Sequence, residues 1–413
     1  MNDRQILELT EWIAESGLAG FSETELIDGF CRRLVENGVP LTRMVGIIDT
    51  LHPVLEARTF HWHRTKNETQ AIDYARSSAR EGQEKWLVSP FHYLFVSGSK
   101  SLRCRIVDGD CPSDRFPVLA EFRDDGLTDY LAVHTRFGKA LTIGMMDCLF
   151  SSWATDHEEG FADWQVGMIE RALPVLALAI RDVSVGRIAE TLVETYLGRD
   201  AGRRVLGGYI ERGVAERMSA VMWFSDLQGF TRITDTVPPE HVIPLLNDYA
   251  DAIVSSIHDH GGQVLKFMGD GIMAIFSGAE DCELCTRALD AAEEATRRVA
   301  ALNARRQAEE LPWTNFYLGL HVGEVFYGNV GSEDRLDFTV IGPAVNEVGR
   351  IAAMCRSLDQ EILLSSAFAT SAEACAARLV SVGRFALRGV GQPQHLFTLD
   401  PGASSETVGN LTP

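Results

Sequence analysis

Hydrophobic positions in the first third of the chain predict helices followed by strands. Apolar residues recur at helical spacing over residues 6–13 and again over residues 26–34. Gly138 marks a turn between the last two strand-like runs of this region. The runs are Arg43–Leu51, Ala57–His63, Tyr130–Val133 and Ala140–Asp147. We therefore predict an N-terminal α/β domain over residues 1–162.

A long helix is predicted from about Asp163, and its apolar residues are spaced 4-3-4-3. That spacing is the a/d seam of a two-stranded coiled coil. The seam residues are Ile169, Leu173, Leu176, Ile180 and Val183, with Val185, Ile188, Leu192 and Tyr196 continuing out of register. Pro174 predicts a kink or the effective start of the helix. We interpret residues 163–216 as a dimerising signalling helix and linker, and the alternative is an amphipathic helix that caps a domain.

The second half predicts an α+β domain over residues 217–400, followed by a flexible tail at 401–413. Its predicted strands are 220–225, 263–268, 271–276, 315–324, 336–341 and 361–364, and its predicted helices are 239–260, 281–308 and 344–357. A final piece, Phe385–Leu399, predicts two strands around a Gly-Val-Gly-Gln-Pro turn. This order contains the βαββαβ core of a ferredoxin-like domain.

Charge and hydropathy exclude several classes of protein. The formal net charge of the 413 residues is −20. A broad basic face for nucleic acid or for an anionic membrane is therefore not expected. The longest apolar run, Ala172–Ile180, is too short to span a bilayer. The polar N-terminus lacks a secretory core, so a cytoplasmic protein is the default expectation.

The cysteine and histidine patterns give little support for a metal or redox site. The chain has eight scattered cysteines, expected in a reducing compartment to be mostly small buried apolar groups. Cys282 and Cys285 form a lone CxxC within a helical pattern, which favours packing over a metal or redox site. His61 and His63 share one face of a strand, with Trp62 on the other, and no third ligand is evident.

Candidate chemistry begins at Phe224-Ser225-Asp226-Leu227-Gln228-Gly229-Phe230-Thr231. Asp226 ends a strand-like run and could hold a metal ion, while backbone amides beyond Gly229 could cradle a polyphosphate. A second stretch, residues 266–271, places Asp270 at the tip of a hairpin. If the two strands are neighbours, Asp226 and Asp270 share two hard cations. The alternative is that Gly-Asp-Gly is only favourable turn chemistry.

A third stretch, residues 337–350, predicts a strand and a helix start. Asn346 and Arg350 are four residues apart, so they project from one helix face. An amide and a guanidinium on one face suit a sugar and a phosphoryl group. For this pair alone, a solvated helix face is the favoured explanation.

These three stretches resemble the catalytic domain of class III nucleotidyl cyclases, in the family's order. FSDLQGFT is similar to the first metal motif, KFMGDGIMAIF to the second, and DFTVIGPAVNEVGRI to the segment with the remaining catalytic groups. The resemblance implies roles position by position. The metal-binding positions are matched by Asp226, Leu227 and Asp270, and the adenine contacts by Lys266 and Thr339. The phosphate loop is matched by Gly229, Phe230 and Thr231. The group that orients the ribose is matched by Asn346, and the group that stabilises charge at the α-phosphate by Arg350.

The implied activity is adenylate cyclase, forming 3′,5′-cyclic AMP and pyrophosphate from ATP with two Mg²⁺ or Mn²⁺ ions per site. Lys266 can donate to adenine N1, and the Thr339 hydroxyl can accept from the N6 amino group. Guanine reverses that donor pattern, so Lys266 favours ATP. The alternatives are a guanylate cyclase or a non-catalytic nucleotide-binding signalling module. Arg388 stands where many members have a lysine near the phosphates, but a surface charge would also explain it.

Quaternary organisation and regulation also follow from the resemblance. The family builds its sites between two catalytic domains, so one domain per chain implies a homodimer, through the cyclase domain and the linker helix. Residues 1–162 are similar to a GAF-type sensor, most clearly around Phe161–Trp164. A small-molecule ligand and a purely dimerising role are both open for this domain.

Overall fold

The computed structural model describes residues 3–66, 68–76, 80–107, 115–139, 142–388 and 393–400. The chain forms two compact units, residues 1–192 and 193–413. Within the described residues, each unit contains one β-sheet. The predicted tail at 401–413 and most of the predicted turn between the last two strands, residues 389–392, lie outside the described residues.

The first unit confirms the predicted mixture of helices and strands. Its strands are β1 (Arg43–Asp49), β2 (Leu55–His63), β3 (Gln70–Ala75), β4 (Ser101–Arg105), β5 (Asp129–Arg136) and β6 (Cys148–Thr155). The helices that begin in this unit are α1 (Asp3–Leu18), α2 (Glu23–Glu36), α3 (Arg80–Leu87), α4 (Pro90–Ser97), α5 (Pro117–Asp124) and α6 (Asp163–Leu197). None of the described helices of the chain is long and apolar enough to cross a bilayer.

Both faces of the first sheet are covered by helices. The six strands are antiparallel in the order β3-β2-β1-β6-β5-β4. Central strand β6 is buried along its whole length, and its side chains alternate between two clusters. Leu149 and Trp153 pack in the cluster of α1, α2 and α6, whereas Phe150 packs in the cluster of α4 and α5. The more specific likeness to a GAF domain remains a prediction.

The predicted strand Ala140–Asp147 is wrong. Residues 142–147 instead form a turn with an isolated bridge between Ile143 and Met146. Gly144 lies at its centre with φ of 60°, in the left-handed region that interrupts a strand. The strand itself begins only at Cys148. Residues 140 and 141 lie outside the described part of the chain.

The predicted coiled-coil seam is buried within the first unit. Ile169, Leu173, Leu176 and Ile180 are each at most 1% exposed and belong to its hydrophobic core. This stretch therefore cannot serve as a dimer seam, and the alternative of a capping helix is the correct one here. The helix continues past Pro174, which is exposed.

The cysteines are mostly the buried apolar groups that the sequence predicts. Cys282 and Cys285 are free thiols. No group of three or more His, Cys, Asp or Glu side chains suited to a metal occurs among the described residues. Cys104 departs from the expectation of reduced thiols because it is disulfide-bonded.

The second unit confirms the predicted βαββαβ order. Its strands are β7 (Ala215–Leu227), β8 (Gln263–Met268), β9 (Gly271–Phe276), β10 (Phe316–Gly331), β11 (Leu336–Ile341), β12 (Ile362–Ser365), β13 (Leu379–Phe385) and β14 (Gln394–Leu399). Its helices are α7 (Arg199–Leu206), α8 (Phe230–Thr236), α9 (Pro239–Asp259), α10 (Asp281–Ala308), α11 (Pro343–Leu358) and α12 (Ser366–Ser371), with a short 3₁₀ helix at Glu373–Arg378.

The eight-stranded sheet of this unit has β7 near its centre. The order is β13-β14-β12-β10-β7-β9-β8, with β11 paired to β10. Strand β7 alternates between two buried faces. Trp223 packs with α9 and α10, whereas Met222 packs with α7 and α11. The ends of β7, β8 and β11 and the start of α11 carry the predicted site residues.

We predict that the seam of α6 stabilises the first unit rather than a dimer. Leu176→Ala should cost about 2–5 kcal/mol of unfolding free energy because it leaves a cavity in a packed core. Leu178→Ala is the matched control, since Leu178 is 56% exposed, and it should cost less than about 0.5 kcal/mol. Denaturant unfolding of the full chain at several protein concentrations would test this. A loss in Leu176→Ala that appears only at concentrations where the protein dimerises would contradict it.

Candidate active site

The first predicted carboxylate lies at the end of the central strand. Asp226 is the penultimate residue of β7, and Tyr317 of β10 is its register partner. On the other edge, Ser225 pairs with Ile272 of β9. The strand is therefore held by β10 at Asp226 itself and by β9 up to the preceding residue.

The second carboxylate lies beside the first. Met268 pairs with Gly271, so Gly269 and Asp270 form the two-residue tip of the β8–β9 hairpin. Gly269 has φ of 68°, which such tight turns require. The backbone N–H of Leu227 donates to Asp270 Oδ2 over 3.3 Å. The structure therefore brings Asp226, Leu227 and Asp270 together, as the sequence predicts.

The closeness of the two carboxyl groups affects the pKa of Asp226. Burial, and then the neighbouring Asp270 carboxyl, raise the pKa of Asp226 from 3.8 to about 7. Two acidic groups without a neutralising cation resist joint ionisation. Such a pair offers the hard oxygen ligands that Mg²⁺ and Mn²⁺ prefer. The donor set of the two carboxyl groups therefore fits divalent cations.

The loop after β7 is anchored and ends at a helix start. Gln228 N–H donates to the Asn315 carbonyl over 2.8 Å, and the Thr314 hydroxyl donates to the Gln228 carbonyl over 2.6 Å. Gly229 then adopts φ of 64° and begins α8. The first N–H groups of a helix have no acceptors within it, so the amides of Phe230 and Thr231 can receive an anion.

Lys266 lies on β8, away from the tip, and its ammonium group contacts another strand. Lys266 Nζ is 3.4 Å from Asp337 Oδ2 of β11. The two side chains are 35% and 56% exposed, respectively. The contact links β8 to the strand that carries Thr339. The sequence places Asp337 inside the third motif but does not indicate this pairing.

Thr339 is buried, yet its hydroxyl is unpartnered. The residue pairs with Gly328 of β10 and is 7% exposed. Its Oγ1 is enclosed and makes no hydrogen bond. A buried hydroxyl without a partner costs free energy unless a ligand satisfies it. Thr339 therefore can accept or donate one hydrogen bond at no competing cost within the protein.

Asn346 and Arg350 lie on α11, which begins directly after β11. Gly342 precedes the helix and Pro343 occupies its first turn, a favourable start. Asn346 is exposed and Arg350 is half-buried. Within the described residues, neither side chain has a hydrogen bond or ion pair to the protein. The amide and the guanidinium therefore remain available to a ligand.

Helix α11 sits very close to β10. Residues 319, 321 and 323 point to the same side of that strand. A Cβ on Gly319 would lie 2.7 Å from the Val348 carbonyl oxygen, and one on Gly323 would lie 2.7 Å from Ala344 Cβ. Only glycine permits this approach. The helix that carries Asn346 and Arg350 is thereby packed against the sheet backbone.

A buried histidine lies between those two glycines. Its Nδ1 is 2.9 Å from Ser365 Oγ of β12, and its Nε2 is 3.5 Å from a Glu347 carboxylate oxygen of α11. Burial lowers the pKa of His321, although the Glu347 charge opposes this. His321 thus connects α11 to two strands. Sequence reasoning missed it because its partners are far apart along the chain.

The predicted residues fall into two groups. Asp226, Leu227, Asp270 and the loop over residues 229–231 form the first. Lys266, Thr339, Asn346 and Arg350 form the second, along β8, β11 and α11. No hydrogen bond or ion pair joins the two groups within the part of the chain that the structure describes. Arg388 is exposed shortly after β13 and forms no ion pair with the residues that the structure describes.

A family model and several known proteins match part of the chain. Residues 214–400 match the family model of the adenylate and guanylate cyclase catalytic domain. An uncharacterised protein of Mycobacterium tuberculosis (strain CDC 1551 / Oshkosh) is 31% identical over 242 residues, covering 57% of this chain and 40% of that protein. The chain thus spans about two fifths of the length of the curated relatives that it matches.

Two solved structures resemble the chain over the same share of its length. The adenylyl cyclase CyaB from P. aeruginosa has 22% identity and a TM-score of 0.41, covering 45% of this chain and 96% of that one. The guanylyl cyclase Cya2 has 28% identity and a TM-score of 0.40, covering 45% and 93%. The family match covers residues 214–400, the part of the chain that contains all of the predicted site residues.

We predict that the crowded carboxyl pair makes the metal-free protein less stable at alkaline pH. The pKa of Asp226 is raised in the folded state to about 7. Its stabilising contribution is therefore present below the unfolded pKa, near 3.8, and is lost as pH rises through 7. Asp226→Asn should raise the unfolding free energy at pH 8 in EDTA by about 1–2 kcal/mol, allowing for solvent screening.

Thermal unfolding at pH 5 and pH 8 would measure this difference. The gain from Asp226→Asn should shrink at pH 5, where the folded wild-type carboxyl is already largely protonated. Asp251→Asn, on the exposed face of α9, is the control and should show no such dependence. An equal gain at both pH values would argue against titration of the pair.

Proposed function

We propose that the chain is an adenylate cyclase that converts ATP to 3′,5′-cyclic AMP and pyrophosphate. The observation that carries the proposal is the meeting of Asp226 and Asp270 at the end of β7 within a matched cyclase domain. A non-catalytic module would have no need for this costly pair of carboxyl groups. The presence of this carboxyl pair beside an anion-accepting loop favours catalysis.

The carboxyl pair is suited to hold two divalent cations together with the triphosphate. When bound, the cations would lower the pKa of the ribose 3′-hydroxyl and neutralise charge on the phosphates. Asp226 and Asp270 supply the fixed oxygen ligands, and the amides of residues 229–231 orient the phosphate chain. These groups align the α-phosphorus for attack by the 3′-oxygen, with pyrophosphate leaving in line.

The second group is suited to bind the nucleoside and to stabilise the transition state. Lys266 donates to adenine N1, and the free Thr339 hydroxyl accepts from the N6 amino group. Asn346 would orient the ribose. The unpaired guanidinium of Arg350 would stabilise the charge that develops at the α-phosphate. Guanine presents N1–H to Lys266, a donor against a donor, and this favours ATP over GTP.

A second copy of the chain would complete each site. Apolar side chains are exposed where β8 ends and along β10 and β11. Phe267 is 57%, Phe326 51% and Ile341 48% exposed, and the latter two are cross-strand partners. An exposed apolar surface beside catalytic residues indicates an interface. We infer a two-fold homodimer in which one protomer supplies the carboxyl pair and its partner supplies the second group.

The first unit is proposed to regulate this activity. The cyclase match begins at residue 214, so residues 1–162 are separate from the catalytic domain. A cavity of about 590 Å³ in this unit is lined by Arg103, His157, Phe161 and Gln165, among others. That volume suits a small-molecule ligand. Native mass spectrometry of the full chain would reveal a co-purifying ligand.

We predict that purified protein with ATP and Mn²⁺ or Mg²⁺ forms cyclic AMP, and forms cyclic GMP from GTP more slowly. Asp226→Ala and Arg350→Ala should each lower kcat by at least about a hundredfold, because each removes a group that acts on the reacting phosphate. Chromatography of the nucleotide products would measure both effects. Absence of either cyclic nucleotide, with correctly folded protein, would refute the proposal.

Mixing these two variants should restore activity. Each heterodimer contains one site that has both mutations and one site that has neither. Random exchange makes half of the dimers mixed, so about a quarter of wild-type activity is expected. Native mass spectrometry would verify heterodimer formation. Inactive mixtures that contain verified heterodimers would show that the sites are not shared between protomers.

A further inference from the structure

We propose that Asp337 is a positioning residue for recognition of the base. Its carboxylate holds the Lys266 ammonium in the place where Lys266 meets the nucleobase, and it thereby increases the preference for adenine over guanine. The inference deepens the proposed function and rests on it. Asp337 acts through Lys266 and is not itself assigned a contact with the reacting atoms.

The geometry points to a specific pair. Lys266 Nζ lies 3.4 Å from Asp337 Oδ2. The two residues are 71 positions apart, so the fold and not local sequence brings them together. No other carboxylate within the described ranges forms an ion pair with Lys266. Both side chains are partly exposed, so an incoming base can reach the ammonium without first breaking a buried contact.

Asp337 also shares a strand face with Thr339. Side chains two residues apart on a strand project to the same side. Phe338 and Val340 point the other way, into the core of α7 and α11. The face opposite that core therefore presents a carboxylate, a neighbouring ammonium and the unpartnered Thr339 hydroxyl. Asp337 and Thr339 thus share this face of β11, with the Lys266 ammonium beside Asp337, and we place the reading of the purine ring here.

The chemistry of the pair explains how it would discriminate. The Lys266 ammonium has three N–H donors, and one directed at Asp337 leaves two for a ligand. An ammonium held in this way meets adenine N1, an acceptor, but opposes the N1–H of guanine. A mobile lysine could instead turn toward guanine O6.

Asp337→Asn should therefore lower the ratio of kcat/KM for ATP to that for GTP by about fivefold. An exposed ion pair is worth up to about 1 kcal/mol, which corresponds to that factor. The change should arise from a higher KM for ATP, with kcat retained, because Arg350 and the carboxyl pair are untouched. Asp337→Glu keeps the charge and should hold the ratio within about twofold of wild type.

A matched control separates this effect from loss of any surface ion pair. Asp259 pairs with Arg298 and is 57% exposed, nearly the same as Asp337. Asp259→Asn should leave the ratio unchanged. Thermal unfolding of all three variants would show that the fold is intact. A ratio within twofold of wild type in folded, active Asp337→Asn, or an equal change in Asp337→Glu, would overturn the inference.

Failure of the proposed function would be distinguishable from failure of this inference. If wild-type protein forms no cyclic nucleotide, the ratio is measured instead as binding of non-hydrolysable ATP and GTP analogues by titration calorimetry. A fivefold fall in that binding ratio in Asp337→Asn supports the positioning role even without catalysis. An unchanged binding ratio refutes it.

Discussion

Repulsion between two carboxyl groups is the constraint around which the second unit is organised. Asp226 and Asp270 would separate if their strands were free to move, since like charges in a half-buried setting disfavour one another. Strand β7 prevents this because β9 and β10 hold it along both edges. The packed cores on both faces of the sheet therefore maintain an arrangement that is locally unfavourable. A bound cation would relieve it.

The remaining site residues are held by different means. Thr339 is enclosed by packing, Lys266 is held by an ion pair, and α11 is held by close contact with β10. None of these devices depends on the carboxyl pair. The two groups of residues can thus form independently in one chain, which is consistent with a site assembled from two copies. The electrostatic cost lies in the first group, with its two neighbouring carboxyl groups. The unsatisfied hydrogen bonding lies in the second group, at the Thr339 hydroxyl.

Much of this arrangement could be predicted from local patterns. Hairpin chemistry at Gly269 and the strand end at Asp226 were enough to expect their meeting, and the helix over 281–308 has the predicted bounds. The strand at 140–147 was predicted wrongly because apolar residues in a turn resemble a short strand. The prediction that the apolar seam of α6 forms a dimer was wrong for a related reason. A 4-3 spacing identifies an apolar stripe but not whether its partner is another chain or the same domain.

Contacts between distant elements could not be predicted in this way. Asp337 and His321 are ordinary strand residues in the sequence, and their roles depend on register and on helix placement. Period-two alternation puts Asp337 on the same strand face as Thr339, yet nothing local places Lys266 next to Asp337. Edge strand β3 was missed because its mostly exposed side chains lack an apolar alternation. The contacts of Asp337 and His321 and the position of β3 are consequences of tertiary packing rather than of local secondary-structure propensity.

The glycine-lined face of β10 has a consequence for mutational tolerance. Gly319 and Gly323 contact no nucleotide in any role assigned here, yet added side chains there would collide with α11. A systematic substitution scan would therefore record an intolerant patch at these positions, similar in severity to that expected at Asp226 and Asp270. Such a scan, interpreted without the fold, would assign these glycines to chemistry. The role of the two glycines is to allow the short distance between α11 and β10. That distance limits which substitutions the protein tolerates, as much as its reactive groups do.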